Sequence, residues 1–177
     1  MKKGFTMIEL IFVIVILGIL ASVAIPRLAG TREDAEISTA VANLRTLLSD
    51  AASYYVVKGS FDGAKWTEIT SVPLKKNADG AAMDAATDAV GTDATTATAY
   101  LKVGDTNNCI GVNVVNKTAN APAYIKFTKG TGDLCGKVLA SKPVAAYVDS
   151  VVKGKTNNDN VTSAMAIGSN TSIYPTN

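Results

Sequence analysis

Phe5 to Ile25 read FTMIELIFVIVILGILASVAI. Glu9 carries the only charge in this stretch of 21 residues, which otherwise consists mainly of isoleucine, leucine, valine and phenylalanine. A helix of that length would rise about 31 Å, which matches the hydrocarbon thickness of a bilayer. The stretch therefore predicts one helix that crosses a membrane.

Two lysines lie in the short segment that precedes this apolar stretch. Only Met1, Lys2, Lys3 and Gly4 precede it. Positive charge beside a membrane segment favours the cytoplasmic side. We therefore expect the N-terminus in the cytoplasm and everything after Ile25 outside.

Glu9 is the exception within the apolar run. A carboxylate near the centre of a membrane helix costs about 2.5–3.5 kcal/mol on insertion scales, and somewhat less near an end. Such a residue normally has a partner, and the only cations near it in the sequence are Lys2 and Lys3.

The residues around Glu9 resemble a known processing signature. Positions 3–10 read KGFTMIEL, and with the apolar run and Pro26 they are similar to the prepilin signature of type IV pilins and type II secretion pseudopilins. The resemblance implies that a prepilin peptidase cuts after Gly4 and methylates the new N-terminus at Phe5. It also implies that Glu9 meets the N-terminal ammonium of a neighbouring subunit, so that two charges that are each costly in lipid offset one another.

The same resemblance implies partners and a location. The partners would be copies of the chain and related pilins in a helical filament, an inner-membrane assembly platform and, before assembly, the lipid bilayer. The chain would lie in the inner membrane as a single-pass protein with a periplasmic head, and later in a pilus or pseudopilus or at the cell surface. A type IV pilus would serve adhesion, twitching or DNA uptake, whereas a pseudopilus would drive exoproteins outward. Both filaments remain open.

The expected architecture is an α+β, pilin-like fold. A leader at residues 1–4 precedes a membrane and filament-core helix at 5–25. An amphipathic helix at 26–58 continues into a globular head at 59–177, where it packs on a small antiparallel β-sheet.

Pro26 stands where the two helical parts meet. Proline lacks the amide donor and crowds the carbonyl four residues back, so we expect a kink there. In the resembled family the region between Gly18 and Pro26 is thought to unwind in the filament. The resemblance therefore assigns Pro26 to assembly, together with Phe5 and Glu9.

Other interpretations of the apolar stretch are a secretory signal peptide, a plain membrane anchor and a buried core helix. The small-x-small site at residues 22–24 fits a signal peptide, but the four-residue head and Glu9 argue against it. An anchor explains the length alone, and a soluble domain of 18.3 kDa rarely buries so long an apolar run.

The alternative function is therefore a secreted or membrane-anchored binding module whose head acts alone. The mature N-terminus distinguishes the cases. A methylated Phe5 indicates a filament subunit, Ile25 a secreted protein, and an intact Met1 a plain anchor.

The composition excludes several function classes. The 177 residues carry 17 basic and 15 acidic side chains, so no nucleic-acid partner is predicted. The absence of histidine from the sequence removes the commonest general base and zinc ligand. No phosphate-binding loop motif and no cysteine pair at metal spacing is present in the sequence. We predict a non-enzyme with no cofactor and no metal.

The two cysteines, Cys109 and Cys135, follow the membrane segment. In the oxidising compartment outside the membrane they most simply form one disulfide. Two reduced, buried cysteines are the alternative.

An apolar stripe predicts that the helix continues to about Lys58, with Gly59 as its stop signal. Its members recur at spacings of three and four residues and suit packing against the head better than a free coiled coil. They are Ile37, Val41, Leu44, Leu48, Ala51 and Tyr55.

The head begins with a connecting stretch, Ser60 to Lys76, in which Trp66 is expected to be a packing anchor. Residues 78–99 are rich in alanine, threonine and aspartate, which favours a surface loop. The spacing of their aspartates does not match a calcium-binding EF-hand loop.

The later sequence has the alternation of β-strands. Ile110, Val112 and Val114 share one face of a first strand, and Ala123, Ile125 and Phe127 share one face of a second. Turn residues after each strand predict two hairpins. A short helix is expected from Pro143 to Lys153, and an edge strand at Ala164–Ile167.

Overall fold

The computed structural model describes residues 4–76, 80–81, 83, 90, 99–104, 106–153 and 161–167. Its elements are α1 Met7–Lys58, α2 Trp66–Ile69, β1 Leu74–Lys75, β2 Ala99–Val103, β3 Thr106–Val115, β4 Tyr124–Lys129, α3 Asp133–Ala140, α4 Lys142–Val148, β5 Val151–Val152, β6 Val161–Thr162 and β7 Ala164–Ala166. A long N-terminal helix followed by an antiparallel sheet confirms the predicted α+β class. Contacts divide the chain into two units, Met1–Glu36 and Ile37–Asn177.

The first unit contains the apolar part of α1. Its large apolar side chains from Met7 to Ile25 are between 41% and 81% exposed. Within the described residues, α1 is long and apolar enough to cross a membrane. The helix begins at Met7 rather than at the predicted Phe5, and it continues through Pro26 without interruption. The kink at Pro26 stays a prediction.

The second unit begins on the later turns of α1, which bury one side against the head. The buried and partly buried side chains of this side are Ile37, Ala40, Val41, Leu44, Leu47, Leu48, Ala51 and Tyr55. All six residues of the predicted stripe are among them. Ala40 and Leu47 widen it, because a straight helix repeats every 3.6 residues and a core-facing surface exceeds a strict coiled-coil seam.

Gly59 ends α1 as predicted. Its φ of 74° lies in the left-handed region that glycine adopts most readily, and its N–H donates to the Tyr55 carbonyl at 2.7 Å. The chain then turns back, so that the Phe61 ring lies 6.0 Å from that of Tyr54 and 5.2 Å from that of Tyr55.

Five antiparallel strands form the main sheet in the order β1-β2-β3-β4-β7. The first predicted hairpin is confirmed, since β3 pairs with β4 and Val112 lies opposite Phe127. Ile110, Val112 and Val114 are fully buried in the core, as their shared face predicts.

The second predicted hairpin is wrong. The turn at residues 129–133 leads into α3 instead of a strand. Apolar side chains at 134, 135, 138 and 139 have the spacing of one helix face, and Cys135 and Val138 are fully buried. Turn residues alone do not distinguish a hairpin from a helix start.

The helix predicted from Pro143 to Lys153 is shorter than expected. It forms α4, ends at Val148, and is followed by β5, which pairs with β6 in a small separate sheet. The Ser150 hydroxyl lies within hydrogen-bond distance of the carbonyl oxygens of both Tyr147 and Ala164, and its one proton bridges them at the point where the chain changes direction. The predicted edge strand is confirmed as β7.

The connecting stretch supplies α2 and β1, and Trp66 is 1% exposed in the core, which confirms its packing role. Most of the predicted loop at residues 78–99 lies outside the described residues, including its four aspartates. Val90 within it is buried, and its N–H donates to the Ala64 carbonyl at 2.8 Å.

Candidate functional site

The start of α1 is built around Thr6 and Glu9. The Glu9 N–H donates to Thr6 Oγ1 at 3.3 Å. In return, Thr6 donates to Glu9 Oε2 through both its backbone N–H, at 2.8 Å, and its hydroxyl, at 2.7 Å. This reciprocal pair is a capping box, in which a threonine before the helix and a glutamate three residues later satisfy each other's backbone donors. The capping box explains why the helix begins at Met7.

The proposed cleavage junction lies just outside this helix. Gly4 and Phe5 precede the capping box and have no helical backbone. Phe5 is 91% exposed, and a Cβ built on Gly4 would meet no atom within 4 Å. Within the described residues, Gly4 and Phe5 therefore form an open, non-helical segment.

The capping box supplies a partner for Glu9 that the charge pattern of the sequence did not predict. A cation was expected near Glu9, whereas the carboxylate accepts hydrogen bonds from a neutral neighbour. The signal was present, since Thr6-Met7-Ile8-Glu9 has the Ser/Thr-x-x-Glu spacing of a capping box before an apolar run. Thr6 therefore joins Gly4, Phe5 and Glu9 at this site.

An apolar surface follows the capping box along α1. Large apolar side chains occur on every side of the helix up to Ile25, and even the least exposed, Ile16, is 41% exposed. The Ser22 hydroxyl in this segment donates to the Ile19 carbonyl at 2.7 Å, so it presents no unsatisfied donor. Such a surface suits lipid or a bundle of like helices.

Pro26, the third predicted assembly residue, lies farther along the same helix. The structure shows helical backbone at this position. It brings Phe5 and Glu9 to the helix start and places Pro26 beyond the apolar segment. The assembly role of all three stays a prediction.

Cys109 and Cys135 form a disulfide in the second unit. Cys109 lies on β3 and Cys135 on α3, with their Cα atoms 5.2 Å apart. Both residues are fully buried. The bond therefore links the central sheet to the helix that replaced the second predicted hairpin.

Side chains that could bind a metal ion do not cluster in the described part of the chain. No group of three or more histidine, cysteine, aspartate or glutamate side chains is placed there to hold an ion. Among described residues, the polar chemistry that stands out is the capping box at the N-terminal end of α1.

Comparison with known proteins bears on the N-terminal residues. Residues 1–25 match the family described as a prokaryotic N-terminal methylation motif. The type II secretion system core protein G of Dickeya chrysanthemi is 43% identical over 53 residues, which are 30% of this chain and 35% of that protein.

A fimbrial protein and a type IV pilin are also similar. The fimbrial protein of Neisseria meningitidis serogroup B is 40% identical over 63 residues, 36% of this chain and 37% of that protein. The type IV major pilin protein PilE1 of Neisseria gonorrhoeae is 40% identical over 68 residues, 38% of each chain. The chain thus spans about a third of the length of the curated relatives it matches.

No solved structure matches this chain. The sequence matches show a prepilin-type methylation motif and a distant similarity to a type II secretion core protein and to type IV pilins, as the sequence resemblance indicates. That similarity is to structural proteins rather than to enzymes.

Proposed function

We propose that this chain is a structural subunit of a helical filament, either a type IV pilus or a type II secretion pseudopilus. It inserts in the inner membrane, is cleaved after Gly4, is methylated at Phe5, and assembles through α1. The main support for this proposal is the exposed apolar surface from Met7 to Ile25. This surface directly follows the open Gly4–Phe5 segment, and both lie within the matched methylation motif.

The apolar surface of α1 explains storage in the membrane. A helix that is apolar on all sides is stable in lipid, where each backbone polar group is satisfied within the helix. Lys2 and Lys3 precede this segment, which supports a cytoplasmic N-terminus and a periplasmic head. Before assembly, the bilayer is thus the partner of the first unit.

The same surface explains assembly into a filament. Helices that leave lipid must exchange it for other apolar surfaces, and copies of this chain or related pilins supply such surfaces. An inner-membrane assembly platform would carry out the transfer. The head, whose apolar residues are buried within the second unit, would then be carried outward.

Glu9 gives the bundle its register. After cleavage, Phe5 carries an ammonium group, and in a water-poor helix bundle an ammonium and a carboxylate attract strongly. A subunit displaced by one helical turn would bury both charges without partners, which costs several kcal/mol. The charge pair between Phe5 of one copy and Glu9 of another therefore favours one alignment.

The mature N-terminus tests this proposal. We would isolate the full-length protein from the membrane and from sheared surface material, and determine its N-terminal residue by mass spectrometry. A methylated Phe5 is expected. An N-terminus at Ile25 would instead indicate a secreted protein, and an intact Met1 a plain anchor, and either result would overturn the proposal.

Replacing Gly4 tests the cleavage step itself. Gly4→Val should leave full-length precursor in the membrane, because the peptidase needs unhindered, extended backbone at this position. Gly18→Ala is the matched control, since Gly18 also has open space for a Cβ but lies within the helix, and it should be processed normally. Normal processing of Gly4→Val would contradict cleavage after Gly4.

A further inference from the structure

Thr6 donates hydrogen bonds to one of the two oxygens of the Glu9 carboxylate. Both hydrogen bonds that Thr6 donates to it, at 2.8 Å from the backbone N–H and 2.7 Å from the hydroxyl, go to Oε2. Within the described residues, every hydrogen bond that the structure shows for this carboxylate goes to that oxygen. Oε1 remains open to a second donor.

We infer that Thr6 is a positioning residue for assembly: it fixes the Glu9 side chain so that Oε1 is presented to the Phe5 ammonium of the incoming subunit. This inference rests on the proposed filament function and adds a residue to it.

There are two physical reasons why positioning of Glu9 by Thr6 would favour assembly. A free glutamate side chain samples many rotamers, and fixing it at the moment of docking would oppose association. Thr6 fixes it beforehand. In addition, a carboxylate that enters a water-poor helix bundle needs donors for both oxygens, since one ammonium cannot satisfy all its acceptor sites. The Thr6 hydroxyl and amide satisfy Oε2, and the incoming ammonium satisfies Oε1.

The hydroxyl of Thr6 distinguishes this role from simple helix packing. Valine has nearly the shape of threonine and the same backbone N–H, but it lacks the hydroxyl. Serine keeps the hydroxyl and loses only a methyl group. If the hydroxyl positions Glu9, Thr6→Val should impair assembly and Thr6→Ser should not.

The test measures sheared filament protein relative to the processed membrane pool, using full-length variants in cells that assemble the filament. We expect Thr6→Val to lower this ratio about five-fold, roughly the effect of losing one helix-capping hydrogen bond. Thr6→Ser should stay within about two-fold of the unchanged protein. Ser49→Ala is the control, because it removes an exposed hydroxyl from a later turn of the same helix, outside the apolar surface of residues 7–25, and it should assemble normally.

A Glu9→Leu variant in the same assay separates this inference from the proposed function. If Glu9→Leu loses filaments while Thr6→Val assembles normally, the positioning role is wrong and the filament function stands. Thr6→Ser as poor as Thr6→Val, or cleavage lost in Thr6→Val, would also overturn it, since Thr6 would then act through its methyl group or at the peptidase step. Normal filaments from Glu9→Leu would instead remove the charge pair on which the inference rests.

Discussion

The two units of this molecule differ in the solvent exposure of their large apolar side chains. In the first, leucine, isoleucine, valine and phenylalanine side chains are between 41% and 91% exposed from Phe5 to Ile25. In the second, most of the described large apolar side chains are buried, among them Leu47, Ile110 and Phe61, whereas Val56 and Val57 near the end of α1 are 72% and 80% exposed. One helix, α1, contributes to both units.

This difference indicates where each unit obtains its stability. The head buries its own apolar surface, so it is expected to fold without another molecule. The N-terminal segment exposes such surface on every side, so its stable environment must be lipid or other helices. Changes in the first unit should therefore affect assembly, and changes in the second should affect unfolding of the head.

Glu9→Leu, a change in the first unit, should have the largest effect. In the proposed filament, removing the carboxylate leaves the Phe5 ammonium of a neighbouring subunit without its partner, which costs roughly 3–5 kcal/mol, so filament yield should fall more than about 100-fold. Glu9→Asp should be intermediate, because its shorter arm misplaces the carboxylate. The yield is measured as sheared surface protein relative to the membrane pool.

The same variants must leave the other steps unchanged. Membrane insertion and cleavage should proceed at normal levels, since leucine is well tolerated in lipid. Thermal unfolding of the head should also be unaltered. Filaments at the unchanged level in Glu9→Leu would mean that apolar packing of residues 5–20 alone directs docking.

The disulfide gives the next largest effect, now in the second unit. Cys109→Ser or Cys135→Ser should lower the free energy of unfolding of the head by roughly 3–4 kcal/mol, because the open loop gains entropy in the unfolded chain. Chemical denaturation of the full-length protein in detergent micelles measures this change. Mass mapping of non-reduced peptides should show the two cysteines joined, whereas free thiols in protein from the cell exterior would contradict the bond.

Gly130, just after β4, gives a smaller effect with a close control. A Cβ at this position would lie 1.8 Å from the Asn108 carbonyl oxygen, a backbone atom of the neighbouring strand. Its N–H also donates to the Cys109 carbonyl at 2.8 Å. Gly130→Ala must therefore displace the β3–β4 hairpin, and we expect a loss of about 2–3 kcal/mol in the same denaturation assay.

Gly136 is the control for Gly130. It lies in α3, where a Cβ would meet no atom within 4 Å. Because alanine favours helix over glycine, Gly136→Ala should stabilise the head by about 0.5–1 kcal/mol. Equal effects of the two substitutions would show that the close approach at Gly130 is not what limits this position. Neither change should alter cleavage or membrane insertion.

The sequence predicted those parts of the fold that depend on long or strongly alternating patterns. The apolar run, the end of α1 at Gly59 and the buried face of β3 all follow from periodicity or a single stop residue. The helix α3 was missed because it has only 8 residues and follows a glycine-rich turn that equally suits a hairpin. Short elements are decided by tertiary contacts, here the bond between Cys135 and β3.

At the candidate site, too, the sequence predicted some of the residues and not others. Gly4, Phe5 and Glu9 follow from a signature in the sequence. Thr6 was overlooked because the expected partner of Glu9 was a charged group, whereas the structure satisfies the carboxylate with a hydroxyl and an amide. The partner expected in a filament belongs to another subunit, so a single chain can show only one half of the pair.

Tyr124 gives the smallest expected effect and concerns the head alone. It is 4% exposed, at the start of β4, and packs in a cluster with Val115, Val152 and Ala164. Burial raises the pKa of Tyr124 above its ordinary value of 10.0, because the charged phenolate would lose its hydration. Above that ordinary value the unfolded chain releases this proton while the folded head still holds it.

Because the folded head holds the Tyr124 proton at a pH where the unfolded chain has released it, the stability of the head depends on pH. Where the folded state binds more protons than the unfolded state, stability falls as pH rises, by at most about 1.4 kcal/mol per pH unit for one group. The contribution of Tyr124 is therefore intact below about pH 9 and is lost progressively as the pH rises past 10 towards the raised value. Tyr124→Phe removes the ionisable phenol and with it this pH-dependent contribution to the unfolding free energy, but it leaves every lysine in place. We expect the difference in unfolding free energy between Tyr124→Phe and the unchanged protein to be constant from pH 7 to 9 and to shift in favour of the phenylalanine variant above pH 10. Parallel curves over the whole range would show that the phenol ionises in the folded head as easily as in the unfolded chain, and the packing of β5 and β7 around it would then have to admit water.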